Sequence, residues 1–288
     1  MWILKKKFHK FISMEKININ GISIAVKIEG DGKKGDILLI HCLGLSHKVF
    51  DNQIKFLAQK GFRVIAPDVR CHGESDKVDS PVSIWDLAED ILKLLDKIGI
   101  KKLFLLGGIS MGGMISMRMI LKRPDIAQNL VLMGTSADQD PYKERYIPMV
   151  EDMLNTLNNE KDPEKIKQTF RNSAEFVVRL CFSHQYLEKD NNFEIWVNES
   201  LKGQSLGAIY VSKAVITRDS ILDQIEKIKV PTLVMVGSND IAVPPRESEK
   251  IAQRIKNSKL VILDGAPHIF PPEIPDRTNA EISSFVSI

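Results

Sequence analysis

The sequence predicts an α/β fold built on a mostly parallel central sheet, with helices on both faces and a helical cap inserted in its second half. Three observations predict it. Short apolar runs bounded by turn residues alternate with longer stretches at helical spacing, the rhythm of strand–helix–strand units. That rhythm stops near Ala137 and resumes at Pro231, and most of the intervening chain reads as successive helices without strands. The chain's 288 residues, 43% of them hydrophobic, suffice for one large core of this kind and exclude disordered and collagen-like classes.

Taken in order, Ile17-Asn-Ile19 and Ile22-Ser-Ile-Ala-Val26 alternate around Asn20-Gly21, the dipeptide suited to a two-residue hairpin, so the sheet starts antiparallel. A strand over Asp36–His41, a helix from about His47 to Lys60 and a strand over Phe62–Pro67 follow. Ser83 opens a helix with Asp86 as its capping partner; Ile84, Leu87, Ile91, Leu94 or Leu95 and Ile98 make its apolar face, and Gly99 ends it. Leu103–Leu106 reads as a strand, the stretch to Arg123 as a helix, and Leu130–Met133 as another buried strand. After the helical insertion come a strand at Pro231–Gly237, a helix over Pro244–Ile255, a strand at Lys259–Leu263 and a last helix beyond Pro275. The expected division is therefore an extension at 1–13, a core at 14–137 and 219–288, and a cap at 138–218.

The formal net charge of +3 is a property of one end. Lys5, Lys6, Lys7 and Lys10 account for it, and the remaining chain has one acidic residue in excess. No basic stripe with interleaved aromatics is present, so nucleic acid is not an expected partner. Residues 1–13 read as a loosely attached extension, or as the leader to an alternative start at Met14. A peripheral membrane anchor is the lesser reading, with Trp2, Ile3, Leu4, Phe8, Phe11 and Ile12 as its apolar partners. No secretory signal is recognisable, which makes the cytoplasm the default location. Cys42, Cys71 and Cys181 have neither the number nor the spacing of a disulfide framework or a zinc knuckle.

The chemistry centres on Gly108-Ile-Ser110-Met-Gly112, between an apolar strand and a helix. Small residues on both sides of Ser110 let the backbone turn tightly enough to hold its hydroxyl above the sheet. The first free N–H groups of the following helix point to the same place, where a negative oxygen would develop in acyl transfer. Gly-rich turns of this kind also cradle phosphates, and a Ser there can simply cap a helix. A Ser hydroxyl needs a base, and the base an acid to hold its tautomer. His268, in Asp264-Gly-Ala-Pro-His268, and Asp240, in Gly237-Ser-Asn-Asp240, each follow a core strand at the edge where parallel sheets build their sites. Asp138 is a minor alternative acid. His41, His72 and Asp68 read as residues that shape loops, while His9, His47 and His184 lie in no motif.

Four separated motifs resemble those of the α/β-hydrolase superfamily from about Met14 to the C-terminus: His41-Cys-Leu-Gly44, Asp68-Val-Arg-Cys-His-Gly-Glu-Ser-Asp76, the Ser110 turn, and the paired Asp240 and His268 segments. The resemblance implies Ser110 as nucleophile, His268 as general base and then acid, Asp240 as the residue orienting the imidazole, and an oxyanion hole from the Leu43 and Met111 N–H groups. Gly108–Met114 and Asp240–Pro245 are more narrowly similar to small capped serine hydrolases such as enol-lactonases and methyl esterases. That similarity implies a small-molecule ester or lactone substrate, no metal or organic cofactor, and a monomer or homodimer. Leu43 and Met114, with Met149, Met153 and Trp196 from the cap, are the expected apolar lining of the acyl pocket. Relatives that cleave a carbon–carbon bond with the same three residues give an alternative reading. A ligand sensor that has lost turnover is another. Cys42 and Cys71 stand where the superfamily commonly has Gly. Two small packing thiols are expected in preference to a redox pair, with Cys fitting there if the backbone angles are ordinary.

Overall fold

The computed structural model describes residues 12 to 288. Eight strands form one sheet in the order β1-β2-β4-β3-β5-β6-β7-β8. They are β1 (Ile12–Ile19), β2 (Ile22–Glu29), β3 (Asp36–Ile40), β4 (Arg63–Pro67), β5 (Leu105–Ile109), β6 (Leu130–Met133), β7 (Thr232–Gly237) and β8 (Ser258–Leu263). β1 pairs antiparallel with β2, and β2 with β4; every later pairing is parallel. The opening turn takes φ 52° at Asn20 and 89° at Gly21, the two positive angles a tight hairpin turn needs and that Asn and Gly tolerate best. β1 begins two residues ahead of Met14, with Ile12 opposite Glu29. The lysines of the basic extension, and with them its reading as an anchor, lie outside the described residues.

The helices between the parallel strands are α1 (Asp51–Gln59), α2 (Ile84–Lys97), α3 (Met111–Lys122) and α9 (Pro245–Arg254), and α10 (Pro275–Val286) follows β8; α4 (Lys143–Asn159), α5 (Pro163–Cys181), α6 (His184–Leu187), α7 (Asn192–Leu201) and α8 (Leu206–Ile216) all fall between β6 and β7. In α2 the Ser83 side chain accepts from Asp86 N–H while the Asp86 carboxylate accepts from Ser83 N–H, so two donors at the helix start are satisfied reciprocally.

Alternation along β3 divides the core. Leu38 and Ile40 face a cluster shared with α2 and α3, and Ile37 and Leu39 face a second one shared with α1 and α10. The inserted helices join both. Ala174 and Val178 of α5 and Trp196 and Val197 of α7 pack into the second cluster, Val211 and Ala214 of α8 into the first. α4 and α8 also build a small core of their own from Leu154, Leu157 and Ile209.

β5 runs further than its apolar residues suggest. Gly107 and Gly108 continue the ladder opposite Leu39 and Ile40 on one side and Val131 and Leu132 on the other. The reading that ended this strand at Leu106 is corrected, and the cause is close approach. A Cβ on Gly108 would lie 2.2 Å from the Gly112 carbonyl oxygen, so the strand must carry Gly where the next helix folds back on it.

Candidate active site

Ser110 joins β5 to α3 at φ 54° and ψ −118°, a conformation a non-glycine residue holds only when its surroundings impose it. The impositions are visible. Its N–H donates to Met133 O at 2.8 Å, and its carbonyl accepts from Thr135 Oγ1 at 2.7 Å. Gly112 lets α3 approach β3 so closely that a Cβ there would stand 1.9 Å from Ile40 O. The turn is thus fixed by its two neighbouring strands, β3 and β6, and by the loop after β6, and Ser110 sits at the C-terminal end of β5.

His268 follows β8 and Asp240 follows β7. His268 Nδ1 lies 2.7 Å from Asp240 Oδ2, and Asp240 Oδ1 accepts from Val243 N–H at 2.8 Å. With Nδ1–H donating to the carboxylate, the neutral imidazole presents the Nε2 lone pair, the tautomer a general base requires. Gly134 connects this pair to the serine. It follows Met133, which holds Ser110 N–H, and a Cβ on it would lie 3.0 Å from Asp240 Oδ2 and 3.3 Å from His268 Nδ1. Ser110 is 8% exposed, and Asp240 and His268 are each 3% exposed, so all three side chains are buried.

Asp138 faces elsewhere. Its carboxylate is 3.2 Å from Lys250 Nζ, on the side where Glu247 pairs with the same lysine. Asp240 is the acid that meets His268.

The loop after β3 is held by His41. Val69 N–H donates to His41 Nε2 at 2.8 Å, which requires the proton on Nδ1, and Nδ1 lies 2.7 Å from Cys42 O. Burial pushes the ring's pKa down, keeping it neutral. Because a trans peptide aims its C=O and N–H in opposite directions, fixing Cys42 O fixes the Leu43 N–H pointing away from the His41 ring. Met111 N–H, at the first residue of α3, has no carbonyl partner within its helix. His72 packs at a tilt against His41, with ring centroids 5.1 Å apart, places Nδ1 3.0 Å from Arg70 O, and is pushed by burial to a pKa of about 3.

The pairing of His47 with Asp68 is absent from the sequence reading. His47 Nδ1 and N–H both meet Asp68 Oδ1, at 2.8 and 2.9 Å, while Glu74 N–H reaches Oδ2. Burial alone would raise the Asp68 pKa, but its His47 hydrogen bonds and the nearby imidazoles lower it to about 2. No motif surrounds His47, and only its position six residues after His41, in the same loop, hinted at it.

The cysteines separate. Cys42 packs in the second cluster near Cys181, Cys71 in the first, and all three are free. Cys42 does not take a positive φ, but Cys71 does, at 64°, so the condition of ordinary angles is not met at Cys71. Its thiol is held by Val78 N–H at 3.3 Å.

Of the expected pocket residues, Met114 is buried in the first cluster with Leu43 against it. Trp196 stacks on Phe182 at 4.9 Å and donates Nε1–H to Tyr186 Oη, in the second cluster with Ile269. Met153 packs in the small α4–α8 core, and Met149 is 58% exposed. Periodicity shows that these α4 residues share a face but not what that face meets. Among the described residues, no group of three His, Cys, Asp or Glu side chains converges as a metal site.

A parallel sheet carrying a strained Ser turn and a buried Asp–His pair at one edge defines a hydrolase-type architecture. The chain belongs to the α/β hydrolase fold family, whose model matches residues 37–273. It is 25% identical to the AB hydrolase superfamily protein YisY of Bacillus subtilis, over 91% of this chain and 95% of that one. It is 23% identical to 3-oxoadipate enol-lactonase 1 of Acinetobacter baylyi, over 93% and 95%. Among solved structures, the enol-lactonase of Burkholderia xenovorans superposes with a TM-score of 0.83 at 24% identity, covering 95% of this chain and all of that one, 100%.

Proposed function

We propose that this chain is a serine hydrolase that cleaves a carboxylic ester or lactone with a small to medium apolar acyl group. The observation that carries the reading is Ser110, held at φ 54° at the head of α3 beside a buried His268–Asp240 pair joined at 2.7 Å. In the reaction His268 Nε2 takes the Ser110 proton as Oγ attacks the carbonyl carbon. The carbonyl oxygen becomes an oxyanion between the Leu43 and Met111 N–H groups, and Asp240 stabilises the imidazolium. Collapse expels the alkoxide, which takes its proton from His268. A water deprotonated by the same Nε2 then releases the acid and regenerates Ser110.

Similarity to an enol-lactonase supports a lactone or ester carbonyl, and the buried Met111 and Met114 beside Ser110 support an apolar acyl group. The near balance of charge outside residues 1–13 supports a small-molecule partner over nucleic acid. In this reading the enzyme works in the cytoplasm, where three free buried cysteines stay reduced.

The test is hydrolysis of p-nitrophenyl acetate, butyrate and octanoate by wild type and Ser110→Ala, with mass spectrometry after fluorophosphonate treatment. Turnover, labelling at Ser110 and a loss of roughly 10⁴-fold or more in the variant are expected. Labelling without ester turnover would move the assignment to carbon–carbon bond hydrolysis or a narrow lactonase. Neither turnover nor labelling in folded protein would leave the sensor.

A further inference from the structure

Glu199 on α7 is a carboxylate with 4% exposure, a costly position for a charge without partners. It has three. Oε1 accepts from Ser46 Oγ at 2.6 Å, and Oε2 lies 2.8 Å from Lys48 Nζ and 3.1 Å from Lys202 Nζ. Burial works to raise its pKa, and the lysines and the hydroxyl outweigh this and hold it below the usual range. Lys202 sits next to α7 in sequence, but Ser46 and Lys48 belong to the core, three and five residues beyond Leu43 in the chain.

Ser46 is fully buried and also accepts from Lys48 N–H, capping the short 3-10 turn at His47–Phe50. The loop from His41 to Ser46 is therefore anchored at both ends. At the near end His41 fixes Cys42 O from within the core. At the far end a carboxylate from an inserted helix fixes Ser46. Between them, a Cβ on Gly44 would come within 3.4 Å of Val177 on α5 and 3.9 Å of Ser200 on α7, so the same helices lie directly on the loop.

We propose that Glu199 is a positioning residue for the oxyanion hole: through Ser46 it fixes the loop that carries the Leu43 N–H, so the hole is fully organised only while α7 is seated on the core. The inference rests on the serine-hydrolase reading. Without Glu199 the Ser46 hydroxyl and the Lys48 ammonium lose their buried acceptor, and the loop relaxes toward other partners. A donor displaced by a fraction of an ångström stabilises the oxyanion less while leaving ground-state binding largely intact.

The test uses the full chain with Glu199→Ala, Ser46→Ala, the double variant, and Glu199→Gln, which keeps an acceptor for Ser46 Oγ. Lys213→Ala is the control, because it breaks an ion pair confined to α8 and α4, Lys213–Glu151 at 2.8 Å. Turnover of p-nitrophenyl butyrate is measured beside inhibition by a short alkyl trifluoromethyl ketone. With that probe Ser110 Oγ bonds to the ketone carbon, its proton passes to His268, and the ketone oxygen becomes the alkoxide in the hole.

The expected result is a kcat lower by about 10- to 100-fold in each alanine variant, with KM within about 3-fold and the ketone Ki raised in proportion to the loss of kcat. Glu199→Gln should fall in between, and the double variant should lose no more than the worse single one, because both cut the same link. Lys213→Ala should behave as wild type. If Ser46→Ala does not fold, the Glu199 pair carries the test.

An unchanged kcat overturns the inference. So does a fall in kcat with an unchanged ketone Ki, or one shared by Lys213→Ala, since simple docking of the helices then explains the loss. Wild type that neither turns over esters nor labels at Ser110 overturns the serine-hydrolase reading itself, and this one with it.

Discussion

At the scale of single residues, the site depends on what is missing from a few glycines as much as on the groups that react. A Cβ on Gly108 meets backbone at 2.2 Å and one on Gly112 meets Ile40 O at 1.9 Å, and neither neighbour is a flexible side-chain end that can yield. Gly108→Ala and Gly112→Ala should therefore fail to give soluble, folded protein. Gly21 has φ 89° but nothing within 4 Å of an added Cβ, so Gly21→Ala should cost only the left-handed strain, about 1–2 kcal/mol in chemical denaturation. Equal losses at Gly21 and Gly108 would sink this distinction between strain and collision. His41 makes a different prediction. Removing the ring orphans Val69 N–H and frees Cys42 O, so His41→Ala should lose about 1–3 kcal/mol of stability and also lower kcat for ester hydrolysis. A stability loss with unchanged kcat would mean that the Leu43 peptide is fixed by other contacts.

At the scale of elements, the succession of strands and helices along the chain and the start of α2 were largely legible, because apolar spacing and capping pairs are local signals. Ser83 and Asp86 form the reciprocal cap that their spacing suggests, and Ser83→Ala should cost about 1 kcal/mol, read as a lower Tm with no change in activity. The loops carrying Asp240 and His268 were legible for the same reason, since each follows a short strand with an apolar run, Leu233–Val236 in β7 and Leu260–Leu263 in β8. What escaped the sequence depends on contacts between elements. The length of β5 was hidden because its last part is glycine, chosen by the approach of α3. The positive φ at Cys71 was hidden because a thiol gives no sign of the angle it takes, and the His47–Asp68 pair joins residues whose nearness exists only once β3 and β4 are adjacent. Cys71 now explains a residue in α8: a Cβ on Gly207 would lie 2.5 Å from Cys71 Sγ and 2.5 Å from Val78 O. Gly207→Ala should therefore unseat the start of α8 and lower Tm. Combining it with Cys71→Gly should recover only part of that loss, because the clash with Val78 O remains; full recovery would show that the thiol is the whole obstacle.

At the scale of the whole molecule, the buried imidazoles make stability depend on pH over a range set by the fold. Burial depresses His72 to a pKa of about 3 and pushes His41 down as well, from a free value of about 6.5. Below that free value the unfolded chain binds protons that the folded chain takes up only at lower pH, near 3 for His72, so acid favours unfolding. Stability should accordingly be complete above about pH 6.5 and fall as pH drops, at a limiting slope of about 1.4 kcal/mol per pH unit for each such ring. Asp68 acts in a lower window. Its folded pKa of about 2 lies below its free value of 3.8, so its contribution is present above about pH 4 and is lost as pH falls toward 2. The two effects separate experimentally in urea unfolding at pH 6.5, 5.5 and 4.5, where the carboxylate contributes little to the slope. His72→Asn keeps an N–H for Arg70 O but cannot take up a proton, and it should reduce that slope by close to one ring's share. Identical slopes in wild type and variant would mean that His72 is protonated in the folded state, and that the contact between the His41 and His72 loops opens to water well before the chain unfolds.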